Sequence, residues 1–459
     1  MSKDGSVANK PGLFERLSYG AGDFGFNLYW TTISAFLLIF YTDSFGLDPR
    51  VAGTMLLTTK LLDSFVDPLM GAISDRTKTK WGRYRPWLLW AAIPMAVSAV
   101  LTFTTPDLDS TAKVIYAYIT FAIMMAVYSV VSIPYGALSG VLTNDPQSRT
   151  QINSFRFVFA FAGGTFVTYC TPILVKWFAT KFGGGDDTVG WQLTMALYGI
   201  LACLFFFNVF ATARERITPV QEQKVSPWRD IADLSQNRPW MVLFVLSLVI
   251  MVTISTRMGA APYYMKYFIG EPDKVKEFLT IYGFALAGGA LLTPVMTRFI
   301  DKKSLLMILM GLVGVFSIAF YFIPKDQLWL AYVMQVVIGL CLGPKSPLTF
   351  SMYADTADYT EYKTNRRATA MTFSAAIFAQ KLGGALASAV IGWTLASLGY
   401  EANKVQGDAS QEGILLLMSV VPGVLALLSA VIMAAYDLND KRLAEVQAEL
   451  TSRKAPKDD

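Results

Sequence analysis

Two aspartates, Asp63 and Asp67, lie four residues apart within the apolar stretch 51–73. Residues with this spacing share one face of a helix, so both carboxylates can point at one ion. Carboxylate oxygens suit a small hard cation such as Na⁺, or a proton shared by the two groups. Because a charge in hydrocarbon is costly, the pair indicates a binding site for a cation.

An ion pair inside the membrane is the competing explanation for these two carboxylates. Lys60 lies one turn before Asp63 on the same helix face, and Lys381 lies in a later apolar segment. The two explanations are compatible, because an amine beside a cation site can neutralise the carboxylates until a cation arrives.

The segment that carries the aspartates is one of many apolar segments in this chain. Of its 459 residues, 54% are hydrophobic and only 16% are charged, which is too apolar for a soluble protein of this length. A membrane-spanning helix needs roughly 20 apolar residues, and about twelve such windows follow one another along the chain. The sequence therefore predicts an all-α membrane protein with about twelve transmembrane helices.

The distribution of basic residues predicts how the chain is oriented. Lys and Arg cluster on alternate connections, for example at 76–85 and 214–229, and such loops face the cytoplasm. Both termini are then cytoplasmic. The long basic connection predicts an N-terminal six-helix bundle at 1–212, a cytoplasmic middle loop at 213–238, a C-terminal six-helix bundle at 239–437 and a cytoplasmic tail at 438–459. This layout is typical of transporters built from two parallel repeats.

Composition also limits the chemistry that is possible. The chain has no histidine, which removes the commonest proton relay and the commonest transition-metal ligand. All three cysteines fall inside apolar segments and are expected to be small buried residues. No Ser-His-Asp or phosphate-binding motif is present, and basic loops account for the net charge of +5. We therefore expect no enzyme activity, no cofactor and no nucleic-acid partner.

Several motifs together resemble one transporter family. The connection 71–86, with its Asp75-Arg76 pair, is similar to the loop between the second and third spans of the major facilitator superfamily. Other motifs resemble the glycoside-pentoside-hexuronide:cation symporters, the family of the melibiose permease, and lie at 17–25, 62–71, 133–135 and 354–359. The resemblance implies the major facilitator superfamily fold, with twelve transmembrane helices in two six-helix bundles, in the bacterial cytoplasmic (inner) membrane.

The resemblance also implies roles for the intramembrane polar residues. The family's cation site lies on the second helix and includes a hydroxyl from the fourth helix, and the matching residues are Asp63, Asp67 and Ser129. The coupling cation would be Na⁺, Li⁺ or H⁺. The cargo would be a sugar or glycoside, and the lipid bilayer is the remaining partner.

The sugar-facing positions match the family less completely. Family aspartates on the first and fourth helices that bind sugar hydroxyls correspond to Asn27 and Ser132, so two negative charges are absent. Asn and Ser can still hydrogen-bond hydroxyls. Tyr128 could supply an apolar surface for a sugar ring, or could simply be a packing aromatic.

Three basic residues, Arg156, Lys345 and Lys381, and one aspartate, Asp23, complete the candidate substrate site. Arg156 and Lys381 match functional residues of the family, and with Lys345 they would make a site less hostile to an anionic sugar. Arg257 and Lys345 have no clear family counterpart, and we expect one to face a cavity and the other to reach a membrane interface. Asp23 either lines the cavity or pairs with a nearby cation.

Charged residues near the cytoplasmic ends are expected to control coupling or gating. Loop charges can pair in one transport state and hydrate in another, although solvated surface charge is the plainer explanation. The residues in this group are Lys60, Asp75, Arg76, Asp355, Asp358 and Arg366.

The sequence thus predicts a cation-coupled sugar symporter that works by alternating access. One alternative keeps the fold but changes the cargo to a lysophospholipid or a drug. Another is a membrane prenyltransferase, in which Asp63 with Asp67 and Asp355 with Asp358 would be Asp-rich motifs that bind Mg²⁺ and pyrophosphate.

Overall fold

The computed structural model describes residues 11–143, 146–216, 234, 236–364, 369–438 and 440–454. Almost all of these residues are helical, and the chain divides into two compact units. Unit 1 comprises Met1–Gln221, Glu271–Thr280 and Ile391–Gly407. Unit 2 comprises Glu222–Gly270, Ile281–Val390 and Asp408–Asp459.

The helices of the first half of the chain belong to unit 1. They are α1 Leu13–Ala35, α2 Pro49–Arg76, α3 Arg85–Thr102, α4 Ser110–Leu142, α5 Pro146–Phe182 and α6 Asp187–Thr212. A short helical turn at Leu37–Ile39 and a π-helix at Phe40–Ser44 continue α1 after a bend of 55°.

The second half begins with α7 and ends with a polar helix, α15. These helices are α7 Arg238–Tyr263, α8 Val275–Met296, α9 Lys302–Phe320, α10 Leu328–Leu342, α11 Lys345–Thr364, α12 Thr369–Ser397, α13 Asp408–Met418, α14 Val420–Ala434 and α15 Asp440–Lys454. A π-helix at Tyr264–Ile269 extends α7, and a 3₁₀ turn at Pro272–Lys274 precedes α8.

Helix length and composition agree with a polytopic membrane protein. Ten of the described helical segments are long and apolar enough to cross a membrane, and the bent pair formed by α1 and its continuation makes an eleventh. Helix α2 has 28 residues, about 42 Å at 1.5 Å per residue, so it is also long enough. Its charged residues explain why it is not among the apolar segments counted above. If α2 is counted as a charged span, the total is twelve, the number of transmembrane helices that the sequence predicts.

Unit 1 also includes two segments from the second half of the chain. Lys176 Nζ donates to Asp273 Oδ1 at 2.7 Å, and Trp393 Nε1 donates to Thr54 Oγ1 at 2.9 Å. The bundle boundaries drawn from the sequence stay a prediction. Most of the middle loop predicted at 213–238 and the end of the tail lie outside the described residues.

Close packing of α1 against α5 depends on glycines and determines which side chains meet in unit 1. A Cβ on Gly163 would lie 3.0 Å from the Cα of Phe24, and one on Gly20 would lie 2.9 Å from the Cβ of Phe155. A larger residue at either position would force the two backbones apart. The close crossing brings polar residues of α1 within hydrogen-bond reach of α5.

In unit 2, α8 and α10 approach each other equally closely. A Cβ on Gly343 would lie 2.2 Å from the carbonyl oxygen of Leu286, and one on Gly289 would lie 2.2 Å from that of Leu340. Only glycine fits such backbone contacts. The crossing fixes the end of α10, immediately before the break that precedes α11.

Candidate functional site

The two aspartates of α2 meet a hydroxyl group from α4. Ser129 Oγ lies 2.9 Å from Asp63 Oδ1 and 2.7 Å from Asp67 Oδ1. Ser129 is fully buried, and Asp63 is 3% exposed. The three oxygen-bearing side chains predicted for a cation site therefore lie together inside unit 1.

The geometry of this cluster suits an added proton or cation. A serine hydroxyl carries one hydrogen, so Ser129 can donate to only one of the two carboxylates. A proton or a metal cation shared among these oxygens would make the second short contact between Ser129 and a carboxylate favourable as well. The cluster is therefore chemically suited to bind either H⁺ or a small alkali cation.

Two further features of α2 act on the same site. Pro68 lacks an N–H group, so the carbonyl of residue 64 loses its intrahelical donor on the turn that joins the two aspartates. Lys60 is 7% exposed, and the charge of Asp63 acts on it. The expected interaction of this lysine with Asp63 is therefore consistent with the fold.

A second cluster in unit 1 is centred on Asp23 of α1. Arg156 Nε donates to Asp23 Oδ2 at 2.6 Å and its Nη2 donates to Asp23 Oδ1 at 3.3 Å. Tyr135 Oη donates to Asp23 Oδ2 at 2.6 Å. The pair is mostly buried, with side-chain exposures of 28% for Arg156 and 15% for Asp23. Of the two explanations for Asp23, pairing with a nearby cation is the one that the geometry favours.

Stacked tyrosines hold this ion pair from one side. The rings of Tyr19 and Tyr135 lie 4.6 Å apart at 18°, and the Tyr19 phenol donates to the Tyr135 carbonyl oxygen at 2.6 Å. The Tyr135 hydroxyl lies 2.6 Å from the Tyr19 carbonyl oxygen as well as from Asp23 Oδ2, and its one hydrogen serves one of them at a time. The Arg156 guanidinium lies 5.1 Å from the Tyr135 ring centroid, a cation–π contact. Sequence reasoning placed Tyr135 only within a family motif and assigned it no role.

The other predicted substrate residues of unit 1 make contacts outside the Asp23–Arg156 pair. Asn27 Nδ2 donates to the Asp23 carbonyl at 2.9 Å, and its Oδ1 accepts from Thr31 Oγ1 at 3.2 Å, so its polar atoms are used within α1. Tyr128 packs edge-on against Phe26 with ring centroids 5.6 Å apart. Ser132 is half-buried on α4, two residues before Pro134.

Lys345 and Lys381, also predicted to bind substrate, belong to unit 2. Lys345 is 3% exposed and Lys381 is half-buried. Arg257 is 1% exposed. The expectation that either Arg257 or Lys345 reaches a membrane interface is therefore wrong, because helix packing covers both side chains.

The predicted gating residues are distributed over separate contacts. Asp75 is exposed and accepts a hydrogen bond from Tyr84 Oη at 2.8 Å, and Arg76 is exposed beside it. Burial and this bond to Asp75 raise the pKa of the Tyr84 phenol above its usual value. In unit 2, Asp355 accepts from Lys302 Nζ at 2.6 Å, and Asp358 is half-buried. Arg366 lies outside the described residues.

Glu215, which sequence reasoning missed, organises the connection that carries Asp75. Its carboxylate accepts the backbone N–H groups of Arg83, Tyr84 and Arg85 at 2.8, 2.8 and 3.0 Å, at the start of α3. Gly82 has φ +112°, and a Cβ there would lie 2.4 Å from this carboxylate. Glu215 is one of four acidic residues at 213–238, so the sequence did not single it out, and its partners lie far away in sequence.

We expect Glu215→Gln to lower the free energy of unfolding by about 1–2 kcal/mol, because a charged acceptor at a helix N-terminus is lost. Thermal unfolding of the detergent-purified protein measures this effect. Glu445→Gln, an exposed position on α15, serves as the matched control and should leave the transition unchanged. Equal transitions for both variants would contradict a stabilising role for Glu215.

Comparisons with known proteins agree with these features. The MFS/sugar transport protein family matches residues 18–440. The chain is 35% identical over 443 residues to the inner membrane symporter YicJ of Escherichia coli (strain K12), covering 96% of this chain and 95% of the relative. It is 31% identical to the isoprimeverose transporter of Lactiplantibacillus pentosus, covering 97% of this chain and 93% of the relative.

A solved structure supports the fold independently of close sequence similarity. The xylose transporter XylE from E. coli superposes with a TM-score of 0.66 at 15% identity, over 95% of this chain and 99% of that one. At this identity the likeness shows the fold alone. The predicted major facilitator superfamily fold is therefore confirmed, and the protein is an integral membrane protein.

These matches also decide between two of the function classes considered above. The matching family consists of transporters and not of enzymes, so the prenyltransferase alternative is wrong. The aspartates of α2 and α11 resemble Asp-rich catalytic motifs only in spacing. The chain belongs to the MFS/sugar transport protein family and, within it, to the glycoside-pentoside-hexuronide:cation symporters.

Proposed function

We propose that this protein is a symporter that imports a glycoside together with a monovalent cation, Na⁺, Li⁺ or H⁺, by alternating access. The cation binds to Asp63, Asp67 and Ser129. The observation that carries the proposal is the position of one serine hydroxyl within 2.9 Å of both carboxylates. In this account the protein lies in the bacterial inner membrane with both termini in the cytoplasm.

The charges around the cluster favour a single monovalent cation. Two ionised aspartates and the Lys60 ammonium leave one net negative charge, which one such cation cancels. A divalent ion would leave an excess positive charge in a buried site, which is unfavourable in a medium of low polarity. No cofactor beyond the coupling cation is needed, because neither cargo nor cation is chemically changed.

The Asp23 cluster is proposed to bind the sugar in unit 1. Carboxylate oxygens accept hydrogen bonds from sugar hydroxyls, whereas the guanidinium donates to them, so the pair can recognise neighbouring hydroxyl groups. Tyr128 offers an apolar ring face nearby. Ser132 and Asn27 are proposed to contribute weaker polar contacts, since the polar atoms of Asn27 already have partners.

Movement of the cation down its electrochemical gradient supplies the free energy for accumulation. A membrane potential of 100 mV contributes about 2.3 kcal/mol per elementary charge moved, to which the cation gradient is added. Coupling requires that a carrier loaded with only the glycoside or only the cation be unable to change sides, whereas the fully loaded and the fully empty carrier do so. The gating residues Asp75, Arg76, Asp355, Asp358 and Arg366 are proposed to alternate between pairing and hydration during that cycle.

Uptake into proteoliposomes tests this proposal. Purified protein is reconstituted, an inward Na⁺, Li⁺ or H⁺ gradient is imposed, and accumulation of a panel of radiolabelled glycosides, neutral and acidic, is followed. We expect at least one glycoside to accumulate transiently above its equilibrium level, and an ionophore that collapses the cation gradient to abolish that overshoot.

The alternative of another cargo is tested in the same vesicles. Fluorescent lysophospholipid and a lipophilic cationic drug are added in place of the glycosides. Gradient-driven movement of either compound, with no overshoot for any glycoside, would replace the sugar symporter by a carrier of a different substrate class.

A further inference from the structure

A cleft of about 460 Å³ opens in unit 1, where the C-terminal part of α5 meets the start of α8 and the 3₁₀ turn before it. Two contacts join these elements. Thr168 Oγ1 and Thr280 Oγ1 share a hydrogen bond of 3.2 Å, and Lys176 Nζ donates to Asp273 Oδ1 at 2.7 Å. The residues that line the cleft belong to neither the cation site nor the sugar site proposed above.

The wall of the cleft changes from apolar to polar along α5. Lining positions 172, 176 and 180 are four residues apart, and 173 and 177 lie beside them, so all five share one face of the helix. Thr180 lies about 12 Å further along the helix axis than Pro172, at 1.5 Å per residue. Pro172 and Ile173 are apolar, Lys176 and Trp177 follow, and a hydroxyl group comes last. The cleft is therefore amphipathic along the direction of the span.

The change in polarity occurs where α5 leaves the hydrocarbon layer. The apolar span Gln151–Phe182 has 32 residues, about 48 Å in length, whereas the hydrocarbon core is roughly 30 Å thick. A centred span extends about 9 Å beyond the core at each end, which puts Lys176 and Trp177 at the boundary. Tryptophan is enriched at that level, and Trp177 is 53% exposed. Lipid headgroups therefore lie beside the polar part of the cleft.

The charged groups that line the cleft leave one surplus positive charge. Lys176 and Lys276 are basic, and Asp273 is acidic. Asp273 takes one of the three donors of the Lys176 ammonium, and this ion pair is exposed. The ion pair of Lys276 with Glu277 is 3.8 Å long, beyond hydrogen-bond distance. Both ammonium groups can therefore donate to a further acceptor while their present pairs persist.

We propose that this cleft binds one anionic glycerophospholipid, such as phosphatidylglycerol. Its phosphodiester lies between Lys176 and Lys276, and an acyl chain follows Pro172 and Ile173. The phosphodiester carries one negative charge, which equals the surplus of the lining residues, and its oxygens accept charge-assisted hydrogen bonds from both amines. A headgroup hydroxyl donates to Asp273. A zwitterionic lipid brings an additional ammonium group into a cleft that is already positive, so it binds more weakly.

Thermal unfolding of the purified, delipidated protein in detergent tests the proposal, because a ligand that binds the folded state raises its transition by mass action. Phosphatidylglycerol, phosphatidylethanolamine and phosphatidylcholine with the same acyl chains are titrated, and glycerol 3-phosphate supplies a soluble phosphate ester. The variants are Lys276→Gln, Lys276→Gln combined with Lys176→Gln, and Asp273→Asn. Lys181→Gln removes an exposed charge from α5 outside the cleft and is the matched control.

We expect the wild type to bind phosphatidylglycerol about fivefold or more tightly than either zwitterionic lipid, and glycerol 3-phosphate to have little effect. Lys276→Gln should weaken binding of phosphatidylglycerol about fivefold, and the double variant about 25-fold. Asp273→Asn should bind it at least as tightly as the wild type, because a negative charge is lost and Lys176 is released. Lys181→Gln should bind it like the wild type.

The same titrations contain the results that would overturn the proposal. Equal binding of the three lipids to the wild type, or unchanged binding of phosphatidylglycerol to the double variant, would exclude the cleft as a site for an anionic lipid. A rise with glycerol 3-phosphate as large as that with phosphatidylglycerol would identify a site for soluble anions instead. Weaker binding to Asp273→Asn than to the wild type would contradict the roles given to the two lysines.

Loss of folding is distinguished from loss of the site by the transitions measured without lipid. The ion pair of Lys176 with Asp273 is exposed, at 70% and 68%, so the variants should unfold close to the wild type before lipid is added. A photoreactive phosphatidylglycerol in nanodiscs provides a second readout that does not depend on stability. It should cross-link to peptides that contain Trp177 or Lys276, and cross-links that are confined to other helices would refute the proposal.

Discussion

Asp67→Asn is expected to abolish cation-driven accumulation of glycoside, and Asp63→Asn is expected to do the same. An asparagine removes the net negative charge that two aspartates and Lys60 leave at the site, so a bound cation is no longer compensated. Accumulation ratios in proteoliposomes should fall to the equilibrium value of one. Equilibrative exchange of glycoside, measured without a gradient, should decline much less, because exchange does not require net movement of the cation.

The control for these variants is Asp107→Asn. Asp107 is exposed in the connection between α3 and α4, so the same chemical change there should leave accumulation intact. Retained cation-driven accumulation in either Asp63→Asn or Asp67→Asn would remove that aspartate from the coupling site. Loss of both accumulation and exchange, with an altered unfolding transition, would instead indicate a structural defect.

Breaking the Asp23–Arg156 pair is expected to have the second largest effect. Arg156→Gln leaves a mostly buried carboxylate whose one remaining side-chain partner among the described residues is the Tyr135 hydroxyl. We expect the free energy of unfolding to fall by about 1–3 kcal/mol, less than for a fully buried pair because the arginine is partly exposed. Glycoside affinity should fall about 10- to 100-fold, since charge-assisted hydrogen bonds to the sugar are lost.

A double-mutant cycle separates the pair from its surroundings. Asp23→Asn with Arg156→Gln leaves no unpaired charge, so its unfolding transition should lie above that of either single variant. Lys176→Gln is the matched control, because its ion pair with Asp273 is exposed, at 70% and 68%, and should contribute little. An effect of Arg156→Gln no larger than that of Lys176→Gln would contradict the assigned role.

Helical periodicity was sufficient to predict that Asp63 and Asp67 lie on one side of their helix. A spacing of four residues puts Asp63 and Asp67 on one face of α2, and this relation holds in any regular helix. The partner Ser129 is 62 residues beyond Asp67, and only the family resemblance pointed to it. Composition likewise predicted the class and the number of spans, because the requirement for roughly 20 apolar residues is set by the bilayer.

The contacts that sequence reasoning missed all join residues distant in the chain. Tyr135 meets Asp23 across 112 positions, and Glu215 meets Arg83 across 132. Propensity and periodicity describe local geometry, so they cannot indicate which helices cross. The crossing of α1 and α5 depends on Gly20 and Gly163, which from the sequence alone are indistinguishable from other small residues in a membrane helix.

The burial of Lys345 illustrates the same limit in unit 2. Pro344 and Pro347 flank it in the sequence, and the structure has a break between α10 and α11 at this place. Whether the amine met solvent, an acid or packed side chains depended on helices distant in sequence, among them α7. Only the fold brings Met251 next to it.

Direct binding of radiolabelled Na⁺ to the purified protein tests the central claim most directly. Equilibrium dialysis is carried out on the wild type, Asp67→Asn, Ser129→Ala and Ser129→Thr, with Asp107→Asn as control. For coupling to Na⁺, the account predicts saturable binding to the wild type, Ser129→Thr and the control, about tenfold weaker binding to Ser129→Ala, equivalent to ~1.4 kcal/mol, and none to Asp67→Asn. If Asp67→Asn binds Na⁺ with wild-type affinity, these residues do not form the cation site.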